Sequence, residues 1–153
     1  MRALIQRVKR CAVSIAAGSR SEIGEGMLIF LGVGQEDTPG DAEYLAGRCV
    51  ALRMFRDVEG KMNCSVRDVK GEILVVSQFT LYADTRKGNR PGYSDAADPE
   101  RAEALYENFV TSLRSSISPL KVATGWFGAE MTVEIVNDGP VTLLLESKRP
   151  PVV

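Results

Sequence analysis

Glu72-Ile73-Leu74-Val75-Val76-Ser77-Gln78-Phe79-Thr80-Leu81-Tyr82 is the stretch on which the fold turns. Its aliphatic run reads as a buried strand, bounded by polar residues at the far end. The end of a buried strand is a frequent place for a site. Ser77 and Thr80 offer hydroxyls there, Gln78 an amide, and the backbone N–H groups can be free of a ladder partner. The same residues suit a strand whose polar end caps a loop, which their chemistry alone favours while leaving the site reading open.

Working outward, helices flank this strand on both sides. Upstream, Thr38-Pro39-Gly40-Asp41 carries a capping hydroxyl, a proline for the first turn and an acid three residues after the cap. Ala42, Leu45, Cys49 and Leu52 then recur at helical spacing and give one apolar stripe. Downstream, residues 83–98 are rich in Asp, Gly, Asn and Pro; a connection this long in a small domain is often functional. Asp98-Pro99 opens a second helix with Ala102, Leu105, Phe109 and Leu113 on one face, and Pro119 marks its end.

The two ends of the chain read as β. Residues 2–9 and 12–16 are extended, with Val13 and Ile15 alternating against Ala12 and Ser14. Gly24 and Gly26 break residues 22–34 into two apolar pieces, which predicts a hairpin leading into Met27-Leu28-Ile29-Phe30-Leu31. Met131, Val133 and Ile135 alternate with Thr132, Glu134 and Val136. Asn137-Asp138-Gly139-Pro140 is turn chemistry, and Val141 to Glu146 reads as the returning strand. The expectation is a single α+β domain over residues 1–153, mainly antiparallel sheet, with two main helices.

Composition narrows the chemistry. The chain has 153 residues, 44% hydrophobic and 25% charged, which is globular, and a net charge of -1, which gives no global positive field for nucleic acid. Three cysteines, Cys11, Cys49 and Cys64, are odd in number and form no CxxC pair, so they read as buried free thiols in a reducing cytosol. Charge enters at Arg2 and Arg7, too early for a signal peptide, and no apolar run approaches about 18 residues. A cytoplasmic protein without a membrane partner is expected. The count of histidines is 0, which removes Ser-His-Asp and Cys-His catalysis and the usual zinc hydrolase sites. Asp57, Glu59, Asp68, Glu72 and Asp84 have no metal-site spacing and read as surface charge; neither a metal nor a cofactor is expected. Trp126, the only tryptophan, reads as core.

Arg86, Lys87 and Arg90 form a short basic cluster in the long loop, and Lys9, Arg10, Lys148 and Arg149 lie elsewhere. These are either solvated charges or phosphate contacts. A protein that grips only the end of an RNA needs few of the latter.

Five segments in order resemble the D-aminoacyl-tRNA deacylase family, over essentially the whole chain. They are Met1-Arg2-Ala3-Leu4-Ile5-Gln6-Arg7-Val8, Ser77-Gln78-Phe79-Thr80-Leu81, Lys87-Gly88-Asn89-Arg90-Pro91, the run Gly125, Phe127-Gly128-Ala129 and Met131, and Asn137-Asp138-Gly139-Pro140-Val141-Thr142. Tyr93 departs from the phenylalanine of the family pattern, and Trp126 and the Pro150-Pro151 tail map to nothing in it.

The resemblance implies a barrel-like fold and a two-fold homodimer with no cofactor. It implies that Gly139-Pro140 is cis and reaches into the partner subunit's site, where its carbonyls line the amino-acid pocket. A rigid main-chain wall would then reject an L side chain and let a D-amino acid or glycine pass. Ser77, Gln78, Phe79 and Thr80 would surround the ester and terminal adenosine at the 3′ acceptor end of aminoacyl-tRNA, with Phe127, Ala129 and Met131 beside them. Backbone N–H groups of Phe79 and Thr80 are the candidates for holding the oxyanion. Thr80 as nucleophile lacks an evident activator, so assistance from the ribose 2′-OH is favoured. Two other readings compete: an editing domain of the archaeal threonyl-tRNA synthetase kind, and a non-catalytic dimer that binds RNA ends or a small molecule.

Overall fold

The computed structural model describes residues 1–86 and 88–148. Lys87, Arg149 and the Pro150-Pro151 tail lie outside the described residues. The elements run β1 (Arg2–Ile15), β2 (Arg20–Ile23), β3 (Gly26–Gly32), α1 (Pro39–Ala51), β4 (Phe55–Arg56), β5 (Met62–Cys64), β6 (Glu72–Ser77), α2 (Pro99–Ser116), β7 (Val122–Thr124) and β8 (Met131–Glu146).

Both helices start where their caps predict. The Thr38 hydroxyl accepts from the Asp41 N–H, and Asp41 accepts the Thr38 N–H at 2.9 Å, a reciprocal capping box. Asp98 accepts the Arg101 N–H at 3.0 Å at the head of α2. Ala42, Leu45 and Cys49 of α1 and Leu105, Phe109 and Leu113 of α2 are buried as the stripes require.

The sheet is mainly antiparallel, as expected, but not purely so: it is mixed. β1 pairs antiparallel with β2, β3 and β8, whereas β3–β6 and β6–β7 are parallel. The physical reason is the helix between β3 and β6: a strand that returns through a helix can lie parallel to the first. β4 and β5 form a separate two-stranded ribbon.

The expected hairpin within residues 22–34 does not form. β8 occupies one edge of β1 along its length, so β2 and β3 share the other edge. They keep one register, with Cys11 opposite Ile23 and Val8 opposite Gly26, and amount to a single partner strand interrupted at Gly24-Glu25. The interruption is held from β6: Gly24 N–H donates to Glu72 Oε2 at 2.7 Å, and Glu72 N–H to the Glu25 carbonyl at 3.0 Å.

One apolar cluster fills the space between sheet and helices, built on Ile5, Ile29, Leu45, Ile73, Tyr106 and Phe109. A second joins Val8, Val13, Leu28 and Leu74, with Ala123, Trp126, Met131 and Val133 packed against it. β7 and β8 both contribute to this inner cluster, so the sheet curls into a nearly closed, barrel-like shape.

β8 corrects a second expectation. Val141 to Glu146 is not a returning strand, because the chain never reverses: Met131–Val136 and Thr142–Glu146 both run antiparallel to β1. Between Gln6 and Val8 of β1, however, the partner jumps from Thr142 to Asn137. Asp138–Val141 have no partner there and stand out as a bulge. Asn-Asp-Gly-Pro makes a bend, but the long edge of β1 captures both sides of it.

Candidate active site

A cleft of about 680 Å³ opens where the parallel strands β3 and β6 end. Open α/β sheets place ligands in the same way, outside the carboxyl ends of parallel strands. Ser77 ends β6, and the chain then tightens into a 3-10 turn, Phe79–Tyr82. The connection from β7 to β8 supplies the facing wall. The structure therefore brings together Ser77, Gln78, Phe79, Phe127, Ala129 and Met131, all lining one cleft.

Two aromatic pairs shape it. Phe79 and Tyr93 meet edge-on at 5.0 Å and are 58% and 40% exposed, so they present rings at the mouth. Tyr106 lies 5.7 Å from Phe127, and its hydroxyl donates to the Val75 carbonyl at 3.0 Å. Burial pushes the Tyr106 hydroxyl well above the usual phenol range, so it stays protonated. Tyr106 and Glu130 are lining residues the sequence reading missed; among the described residues Glu130 is the single charged side chain that lines the cleft. Tyr106 looked like one more residue of a helix stripe.

Thr80 is exposed and stands beside the cleft rather than lining it. Its hydroxyl contacts the Gln78 amide nitrogen. An amide takes no proton at neutral pH, so this contact orients Thr80 without activating it. The first hydrogen bond of the turn runs from Leu81 N–H to Gln78 O at 3.2 Å. Phe79 and Thr80 N–H precede it and have no acceptor within the turn, as is general at the start of a helix.

Gly139 and Pro140 do not line this cleft. They sit exposed on the bulge of β8, joined by a cis peptide bond. Both feet of the bulge are fastened. The buried Arg7, 3% exposed, donates from Nε to the Asp138 carbonyl at 3.1 Å and from Nη1 to the Met54 carbonyl at 2.7 Å, and its Nε forms an ion pair with Asp138 Oδ2 at 2.9 Å. Asn137 Nδ2 donates to the Arg7 carbonyl at 2.8 Å and to the Val141 carbonyl at 3.4 Å, closing the base. Asn137 and Asp138 thus anchor the bulge as well as bend it. Arg7 escaped the sequence reading because a charged residue in a strand looks solvent-facing until its partners are known.

The basic cluster is less available than its sequence implies. Arg86 donates to both Asp84 carboxylate oxygens, at 2.8 and 2.9 Å, and holds the Asp84 carboxyl down at about 2. Arg90 is exposed. Lys148 lies 3.7 Å from both Asp37 and Asp41.

Fold and cleft together define a small α+β protein with a cleft at the ends of its parallel strands. The family model described as D-Tyr-tRNA(Tyr) deacylase matches residues 4–146. Curated D-aminoacyl-tRNA deacylases of Thermosipho melanesiensis and Anaeromyxobacter dehalogenans are each 54% identical to it over 149 residues, covering 97% of this chain and 99% of theirs. The chain belongs to the D-aminoacyl-tRNA deacylase family. Among solved structures, the c-Myc DNA Unwinding Element Binding Protein superposes with a TM-score of 0.92 at 43% identity, over 97% of this chain and 100% of that one. A probable eukaryotic D-amino acid tRNA deacylase shares the fold, with a TM-score of 0.83 at 16% identity over 95% of this chain and 98% of that one.

Proposed function

We propose that this protein hydrolyses the ester that joins a D-amino acid to the 3′ end of tRNA. Water adds to the ester carbonyl, the bond to the ribose oxygen breaks, and that oxygen takes a proton. The products are free amino acid and tRNA. One observation carries the reading: a cleft of about 680 Å³ with, among the described residues, unpartnered backbone donors at its edge and no nucleophile–base pair beside it. Such a site supplies position and a cradle for negative charge, not acid–base chemistry. Phe79 and Thr80 N–H hold the developing oxyanion, and the substrate's own 2′-OH helps to activate water. Phe79 offers an exposed ring for the terminal adenosine, and Phe127, Ala129 and Met131 form the opposite wall. The exposed Arg90 is better placed than the engaged Arg86 to meet phosphates.

Chirality is set by Gly139 and Pro140 of the other subunit in a two-fold homodimer. Two features support this. The motif is absent from the lining of its own cleft and projects from a fastened bulge. It does so on a strand whose outer edge has no partner among the described residues, with Ile135, Val136, Leu143 and Leu144 between 38% and 56% exposed. Exposed apolar side chains on a long, unpaired edge strand are an expected mark of an interface. Glycine, which has no side chain to reject, is accepted as well, which makes glycyl-tRNA mischarged on tRNA-Ala a substrate. The reaction takes place in the cytoplasm, where the aminoacyl-tRNA is. No helix of the described residues is long and apolar enough to cross a membrane.

The test is ester loss from D-tyrosyl-tRNA and L-tyrosyl-tRNA. Release of D-tyrosine with L-tyrosyl-tRNA spared is expected. Release from neither leaves only a binding module, and equal release from both ends the chiral reading.

A further inference from the structure

Among the described residues two charged side chains are buried, Arg7 and Asp37. Arg7 fastens the bulge. Asp37 faces the other half of the site, and the hydrolytic reading has no use for it so far. Its carboxylate accepts the Gly34 N–H at 2.6 Å, the Met1 amine at 2.7 Å and the Tyr82 hydroxyl at 3.3 Å. Tyr82 is the last residue of the turn that carries Phe79 and Thr80.

Arg2 grips the same turn from outside. Its guanidinium lies 4.5 Å from the centre of the Tyr82 ring, within cation–π range. Its Nη1 donates to the Leu81 carbonyl at 2.8 Å, and its Nε to Glu146 Oε1 at 2.8 Å. The end of β3 and the segment after it provide the seat. A Cβ on Gly34 would come within 2.8 Å of the Tyr82 ring, and one on Gly32 within 3.1 Å of Leu81 Cβ. A side chain at Gly34 would force the Tyr82 ring to shift, and one at Gly32 would crowd the turn by a few tenths of an ångström.

The turn needs such support. Among its hydrogen bonds are Leu81 N–H to Gln78 O at 3.2 Å and, at its end, Ala83 N–H to Thr80 O at 3.1 Å, in a helix type that is weak by itself. The direction in which the free Phe79 and Thr80 N–H groups point is therefore set by what holds Leu81 and Tyr82. Oxyanion donors act only when held to within about half an ångström.

We infer that Arg2 and Asp37 are positioning residues: acting through Leu81 and Tyr82, they aim the Phe79–Thr80 donors into the cleft. This rests on the proposed hydrolysis for its consequence but not for its geometry. Arg2→Ala, Arg2→Lys and Tyr82→Phe are the variants, since Arg2 is partly exposed and Tyr82→Phe keeps the ring. Amide hydrogen exchange of residues 78–84 is measured on the free protein, alongside kcat and KM for D-tyrosyl-tRNA.

For Arg2→Ala the expectation is faster exchange at Leu81 and Ala83 with α1 and α2 unchanged. It is joined by a kcat lower by about tenfold and a KM within about twofold, because mis-aimed donors weaken the transition state more than ground-state binding. Arg2→Lys should recover part of the loss, and Tyr82→Phe should show a smaller effect in the same direction. Unchanged exchange at 78–84 overturns the inference. So does faster exchange with unaltered kcat, or a loss confined to KM. A wild-type protein inactive on D-tyrosyl-tRNA ends the hydrolytic reading, while the exchange measurement still decides whether Arg2 and Asp37 brace the turn.

Discussion

Arg7 and Asp138 are joined twice, once through the Asp138 carbonyl at 3.1 Å and once through its carboxylate at 2.9 Å. The two contacts tie the core of the sheet to the bulge that carries Gly139 and Pro140. Arg7 side-chain exposure is 3% against 28% for Asp138, so the pair straddles the surface. Removing the arginine also strands the Met54 carbonyl. Arg7→Gln should cost about 2–3 kcal/mol in urea unfolding, the range for buried hydrogen bonds to charged groups. Asp138→Asn keeps the carbonyl contact and should cost about 1 kcal/mol or less. Both should raise hydrolysis of L-tyrosyl-tRNA relative to the D form, because a loosened bulge yields to a side chain.

Gly139→Ala tests the bulge sterically. An added Cβ would stand 2.5 Å from the Val141 nitrogen and 2.8 Å from Asn137 Oδ1. The Val141 nitrogen is main chain and the Asn137 side chain is tied down by its own hydrogen bonds, so the bulge must open, at a cost of about 1–3 kcal/mol. The ratio of D to L hydrolysis should fall. An unchanged ratio at full activity would mean that the main chain at this position does not select.

Thr80→Ala separates two mechanisms. Thr80 is exposed, and its hydroxyl meets an amide, not a base. If the hydroxyl only helps to order the turn, kcat should stay within about threefold, whereas loss of a true nucleophile costs on the order of 10⁴ or more. Phe79→Ala should instead raise KM by about five- to tenfold, roughly 1 kcal/mol of lost stacking on an exposed ring.

The cysteines give a check that does not involve RNA. Burial pushes the Cys11 and Cys49 thiols up to about 12. The thiolate appears only as pH rises through that value, so both are unreactive near pH 8. Cys64 is half-buried. Native protein titrated with a thiol reagent at pH 8 should therefore react at Cys64 first, and all three cysteines should react in denaturant. Fast native labelling of Cys49 would contradict the packing of α1.

What was legible in the sequence was local. Thr38 with Asp41 and Asp98 with Pro99 announce the helices because a cap is a contact within four residues. Ser77, Gln78 and Phe79 announce the cleft because an aliphatic strand ends there. Long-range pairing was not legible. The parallel alignment of β3 with β6 depends on α1 crossing between them, a signal that was present in the order of elements. Asn137–Pro140 has the composition of a turn, and only the length of β1, which pairs on both sides, makes it a bulge. Arg7 and Asp37 look like surface charges until Asp138, Met54, Gly34 and Tyr82 close around them.

The central claim is that one subunit lends its bulge to the cleft of the other. Mixed dimers test it most directly, using Ala129→Trp, which fills the cleft, and a deletion of Gly139 and Pro140. Neither parent dimer should show D-selective deacylation. After subunit exchange, the cleft of the deletion subunit meets the bulge of the Ala129→Trp subunit, and D-selective activity should return to about one quarter of the wild-type value, as random pairing requires. Absence of recovery in demonstrated heterodimers would place bulge and cleft in the same subunit and contradict the account.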